Sequence, residues 1–100
     1  MVKEQSIQDK IVKYIESIGG VPIVQTEYGI YARMGVPDIL ACVKGRFVAI
    51  EVKRPKQKPR PTQLAWLDAI ERAGGVAFWA TSVKEVQDKI KELWTSSFSF

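Results

Sequence analysis

Gly35-Val36-Pro37-Asp38-Ile39-Leu40-Ala41-Cys42-Val43-Lys44-Gly45-Arg46-Phe47-Val48-Ala49-Ile50-Glu51-Val52-Lys53 contains two strand-like runs separated by a two-residue break. The runs are Val36 to Val43 and Arg46 to Lys53, and a two-residue connection containing glycine is a β-hairpin signal. If the loop is Lys44-Gly45, Val43 pairs with Arg46, and counting back sets Asp38 directly opposite Glu51. Directly opposed residues share a sheet face, with Cβ atoms roughly 4.5–5.5 Å apart. Lys53 lies two residues beyond Glu51 and projects from that same face. Facing like charges destabilise a sheet unless something compensates them, and a divalent cation with oxygen ligands does so. Glu51 also interrupts the apolar run Phe47-Val48-Ala49-Ile50, where an unpaired carboxylate would be costly.

Working outward, Ser6 to Ile18 reads as a helix: Ile7, Ile11, Ile15 and Ile18 recur at helical spacing and Gly19-Gly20 ends the run. Two starts are open. A start near Lys3 puts Glu4 and Gln8 on one face, whereas a Ser6 cap leaves Glu4 just outside. Val21 to Tyr28 reads as a strand, with Pro22 confined to its start or to an edge, and Gly29 to Gly35 as a loop. The hairpin strands are apolar on both faces, so cover is expected on both sides of the sheet. Arg54 to Pro61 is a loop rich in proline and cations. Thr62 to Ala73 reads as a helix, Val76 to Ala80 as a short strand, and Ser82-Val83-Lys84-Glu85 as a capping box opening a helix from Val83 to Trp94. The expected order is α-β-β-β-α-β-α within one domain spanning 1–100.

Composition narrows the chemistry. The chain has no histidine, which excludes a Ser-His-Asp relay, a histidine general base and a histidine-held metal. Its single cysteine, Cys42, excludes an intrachain disulfide frame or a cysteine-rich zinc site, and reads as a packed core residue. The net charge of +4 favours a polyanionic partner weakly. No apolar run reaches membrane-spanning length and the N-terminus lacks the apolar core of a signal peptide, so a cytoplasmic protein with no membrane partner is expected.

The residues that remain fit phosphodiester hydrolysis. That reaction requires an activated water, charge neutralisation at phosphorus and a stabilised leaving oxygen, all of which bound Mg²⁺ can supply. Mg²⁺ takes near-octahedral oxygen ligands and keeps several waters. Asp38, Glu51 and the backbone carbonyl of Val52 meet that need. Lys53 would orient or deprotonate the attacking water and offset phosphate charge, and Glu4 would hold a metal-bound water. Glu27 is a competing third acid that reads as a strand-end surface residue. Arg54, Lys56, Lys58 and Arg60 would track phosphates, with Arg33 contributing from the preceding loop. Gln63, in the first turn of its helix, would bond a phosphate or a water; the alternative is an ordinary exposed residue. Trp66, Trp79 and Trp94 read as core or subunit-interface aromatics rather than base-stacking platforms.

Arg33-Met34-Gly35-Val36-Pro37-Asp38, then Glu51-Val52-Lys53, then a helix with Gln63, resembles the PD-(D/E)xK nuclease superfamily, and most of all the short, stand-alone VRR-NUC type of phages and bacteria. The resemblance covers nearly the whole chain. It implies an α/β fold with a restriction-endonuclease-like αβββαβ core and a mixed central sheet flanked by helices. It implies Mg²⁺ or Mn²⁺ and no organic cofactor, metal ligation by Asp38 and Glu51, a catalytic role for Lys53, and accessory roles for Glu4 and Gln63. It further implies a homodimer acting on branched DNA, including Holliday junctions. The apolar surface of the last strand and helix is the expected place for that pairing. Two rival readings are a restriction-type endonuclease on linear duplex and a non-catalytic DNA-binding module on the same fold.

Overall fold

The computed structural model describes residues 3–25 and 34–96. The element order is α1 (Glu4–Ser17), β1 (Val21–Val24), β2 (Ile39–Val43), β3 (Arg46–Val52), α2 (Pro61–Arg72), β4 (Val76–Ala80) and α3 (Val83–Ser96). This matches the expected order and mixed α/β class. The four strands form one sheet in the order β1-β2-β3-β4, antiparallel from β1 to β3, with β4 parallel to β3. A parallel pair needs a crossover connection, and α2 supplies it.

The hairpin register is the expected one: Val43 pairs with Arg46 and Ile39 with Ile50. Lys44 and Gly45 both have positive φ, 49° and 81°. Such a turn matches the right-handed twist of the flanking strands. Alternation then sorts the side chains. Ile39, Ala41, Val43, Val48, Ile50, Val52, Val76 and Ala80 lie on one face and pack against Ile7, Ile11 and Ile15 of α1 and Val86 and Ile90 of α3. The opposite face carries Leu40, Ala49 and Ala77 beneath Leu67 and Ile70 of α2.

Helices cover both faces, as expected, but the cover is unequal. One helix cannot span four strands, since helices pack 8–10 Å from their neighbours and strands are spaced about 4.8 Å apart. On the α2 face Val21 and Ile23 are exposed and Phe47 is 47% exposed. Cys42, between Val21 and Phe47 in register, is exposed rather than packed in the core.

Helix and strand ends differ modestly from the sequence reading. α1 begins at Glu4 with Lys3 as its cap, so Ser6 lies inside the helix and Glu4 in its first turn. Ser6 N–H and Ile7 N–H both bond the Lys3 carbonyl, so backbone bonding starts there without a serine cap. β2 begins at Ile39, not Val36. β1 ends at Val24, Gln25 bonds the Asp38 carbonyl, and the rest of the expected strand lies outside the described residues. Pro22 sits on the edge strand β1, as anticipated. At α3 the Ser82 hydroxyl accepts the Glu85 N–H, while the Glu85 carboxylate takes the N–H and hydroxyl of Thr81 rather than the Ser82 N–H. No helix among the described residues is long and apolar enough to cross a membrane.

Candidate active site

The site forms where β3 passes beneath the N-terminus of α2. Glu51 is the penultimate residue of β3, only 2% exposed, and points to the α2 face. Asp38 immediately precedes β2 and, by continuation of the Ile39–Ile50 register, stands opposite it. One Asp38 carboxylate oxygen, Oδ2, accepts the Val52 N–H at 2.8 Å, which ties the acid to the neighbouring strand. A residue in an antiparallel ladder directs its N–H and C=O toward the same neighbour, so the Val52 carbonyl faces the Asp38 side. The Lys53 ammonium lies 3.5 Å from Glu51 Oε2, and its side chain is 12% exposed. The Lys53 backbone is fixed by its N–H bond to the Ala80 carbonyl.

Gln63 completes the site. It is 7% exposed, not the ordinary exposed residue that its helical position allowed. Its amide oxygen accepts the Arg60 N–H at 2.8 Å, and its amide nitrogen donates to Glu51 Oε2 at 2.9 Å. One side chain thus closes the start of α2, behind Pro61 at N1, and orients the buried acid. A proline at N1 is preorganised for the helix, so the sequence Arg60-Pro61-Thr62-Gln63 places that amide by local rules alone.

The Glu51 carboxyl is raised from its ordinary 4.5 to about 7, chiefly by burial and then by the facing Asp38, with Lys53 pulling the other way. Glu51 Oε1 is buried and finds no hydrogen-bond partner among the described residues. Such an orphan is rare in native proteins and calls for a reason. A hard cation held by Glu51, Asp38 and the Val52 carbonyl would satisfy it, and such an all-oxygen donor set would suit Mg²⁺ or Mn²⁺.

Other expected site residues are arranged less tightly. Glu4 occupies the first turn of α1 and makes no side-chain hydrogen bond or ion pair with the described residues. Among those residues no group of three acidic, cysteine or histidine side chains gathers, so Glu4 does not join the Asp38–Glu51 pair. α1 ends beside Val43, where a methyl group on Gly20 would sit 3.1 Å from that side chain. Its N-terminus therefore lies toward the Asp38 end of the sheet. Arg54, Lys56, Lys58 and Arg60 are all exposed. Arg33 and Glu27 lie outside the described residues.

Three supporting residues escaped the sequence reading. Gln57 accepts the Arg54 N–H through its side chain at 3.0 Å and returns its own N–H to the Arg54 carbonyl at 3.0 Å. With Pro55 second and Lys56 third at φ 73°, the segment is a type II turn. The Pro55 was a visible signal for it. The Trp66 indole donates to the Met34 carbonyl at 3.0 Å, anchoring the approach to Asp38. Gly35, at φ 82°, lies so close to α2 that an added Cβ would stand 3.0 Å from the Thr62 carbonyl. Trp94 packs against the core and carries the Lys44 ammonium 5.7 Å from its ring centre, whereas Trp79 is 39% exposed.

Comparison with known proteins agrees with this geometry. The phage protein named "Putative nuclease p44", from Acyrthosiphon pisum secondary endosymbiont phage 1, is 35% identical over 65 residues, 64% of this chain and 67% of its own length. A solved VRR-NUC domain superposes with a TM-score of 0.74 at 28% identity, covering 91% of this chain and 97% of that one. Archaeoglobus fulgidus Hjc, a Holliday junction resolvase, shares the fold at a TM-score of 0.58 and 24% identity, over 76% of this chain and 65% of its own. The family model described as the VRR-NUC domain matches residues 23–84, a span that holds Asp38, Glu51, Lys53 and Gln63, and the chain belongs to that nuclease family.

Proposed function

We propose that this protein is a metal-dependent, structure-specific DNA endonuclease that hydrolyses phosphodiester bonds in branched DNA such as Holliday junctions, acting as a homodimer. The observation that carries this reading is the buried Oε1 of Glu51, beside Asp38 and without a hydrogen-bond partner among the described residues. Asp38, Glu51 and the Val52 carbonyl would hold Mg²⁺ or Mn²⁺, with Glu4 acting through a bound water. Such an ion, when bound, would supply an acidified water, neutralisation of phosphate charge and a stabilised leaving oxygen.

The chain's own residues do the rest. Gln63 holds Glu51 Oε2, which would leave Oε1 for the ion. Lys53, kept beside Glu51, offsets charge on the phosphate and orients the attacking water. Arg33, Arg54, Lys56, Lys58 and Arg60 track the DNA backbone. The name of the fold neighbour Hjc as a Holliday junction resolvase supports the branched substrate. A two-fold dimer presents two symmetric sites, which suits paired cuts.

Cleavage of a four-way junction and a matched linear duplex, with and without Mg²⁺, tests the reading when wild type is run beside Asp38→Ala. Junction cleavage that needs metal and vanishes in the variant is expected. Equal cleavage of the linear duplex would favour a restriction-type enzyme. No cleavage, with metal uptake identical in both proteins, would leave a non-catalytic binding module.

A further inference from the structure

Trp79 sits in β4 as the direct neighbour of Glu51 in β3. Paired residues on adjacent strands project from the same face and stand roughly 5 Å apart, the strand spacing. The indole therefore lies on the α2 face next to the buried acid, yet it is 39% exposed. Its N–H makes no hydrogen bond to the described residues, unlike Trp66, which anchors Met34. β4 is an edge strand, so β3 alone flanks Trp79 within the sheet. On α2, Trp66 faces the Met34 approach. Leu64 lies two residues earlier, about 160° around the helix, and so on the opposite flank, toward β4; it too is exposed. A wet aromatic surface thus borders the acid pair. The exposed cations of Arg54, Lys56, Lys58 and Arg60 follow directly from Lys53 in sequence.

A flat apolar ring beside cations matches one ligand chemistry, the face of a nucleobase attached to a phosphate backbone. Stacking on an aromatic side chain is sequence-tolerant because every base presents a π-face. It requires a base free of its own stack, which a branch point provides and a continuous duplex does not. We propose that Trp79 is a stacking platform for an unpaired DNA base next to the scissile phosphate, and that it contributes to preference for branched over continuous DNA. This rests on the nuclease reading above.

The test is fluorescence anisotropy of a labelled splayed fork and a matched linear duplex, in Mg²⁺-free buffer, with wild type, Trp79→Ala and Trp79→Phe. Cleavage of the same substrates in Mg²⁺ and light scattering of each protein accompany it. Trp79→Ala is expected to weaken fork binding about tenfold, with a smaller loss on the linear duplex. Trp79→Phe should recover most of the affinity, and particle mass should be unchanged. Equal fork binding by wild type and Trp79→Ala, or equal losses on both DNAs, overturns the proposal. So does a fall in particle mass, which would make Trp79 an interface residue between copies. Binding that follows the expected pattern without any cleavage by wild type would sink the nuclease reading and overturn the placement beside a scissile phosphate, leaving Trp79 a base-stacking contact of a DNA-binding module.

Discussion

At the scale of single residues, Glu51 is held where its charge is unwelcome. An acid with a raised folded pKa keeps its proton longer in the folded state than in the unfolded chain. Between the ordinary 4.5 and about 7 the folded form therefore binds more protons, and stability falls as pH rises through that window. Metal-free protein is expected to melt at a higher temperature at pH 5 than at pH 8, by calorimetry, with Mg²⁺ restoring much of the difference at pH 8. Metal affinity should rise with pH up to about 7, because the ligand must first lose its proton. Glu51→Gln removes the charge while keeping the shape. It should stabilise the metal-free protein at pH 8 by roughly 1–3 kcal/mol, the scale of two pKa units, and abolish cleavage. A residue that stabilises the fold when neutralised and kills the reaction at once has been kept for chemistry rather than for packing.

At the scale of elements, the first turn of α2 determines where the acid points. Gly35 lets the segment before Asp38 pass against Thr62, and Trp66 pins it through the Met34 carbonyl. Gly35→Ala combines a strained φ of 82° with a contact that backbone cannot relieve. It should cost about 2 kcal/mol or more in urea unfolding and lower kcat by shifting Gln63 away from Glu51. The basic turn poses the opposite trade. Lys56 occupies a left-handed position that glycine would take without strain. Lys56→Gly should gain up to about 1 kcal/mol of stability yet bind DNA more weakly, with a salt slope shallower by about one unit. Loss of stability in that variant would mean that the lysine makes a supporting contact within the fold.

At the scale of the whole molecule, one face of the sheet is sealed by two helices and the other only partly by one. The sealed face holds most of the core, so stability and the site draw on opposite sides of the same strands. That separation keeps Val48, Ile50 and Val52, which alternate with Ala49 and Glu51 along β3, fully buried on the face away from the acid pair. The net charge of +4 acts at this scale too. If Arg54, Lys56, Lys58 and Arg60 each neutralise one phosphate, log affinity for duplex DNA should fall against log salt with a slope of about −3 to −4. A slope near zero would show that these cations stay clear of the backbone.

Alternation with a period of two, a two-residue turn and the position of two acids were enough to read the hairpin register and to bring Asp38, Glu51 and Lys53 to one face. Helix periodicity and glycine stops were enough for the order of elements, because those signals are local. Burial of Gln63, exposure of Cys42 and Trp79, and a Glu51 oxygen without a hydrogen-bond partner among the described residues were not legible in that way. Each depends on which rows of the sheet a single crossover helix covers, and that is set by packing between residues far apart in the chain. The α1 start was ambiguous for a related reason: Lys3 begins the helix through its backbone, and no capping side chain marks the spot. Local pattern thus determined which groups this protein brings to its site, while tertiary packing, which sets how far one crossover helix covers the sheet, decided which of them are dry and which are wet.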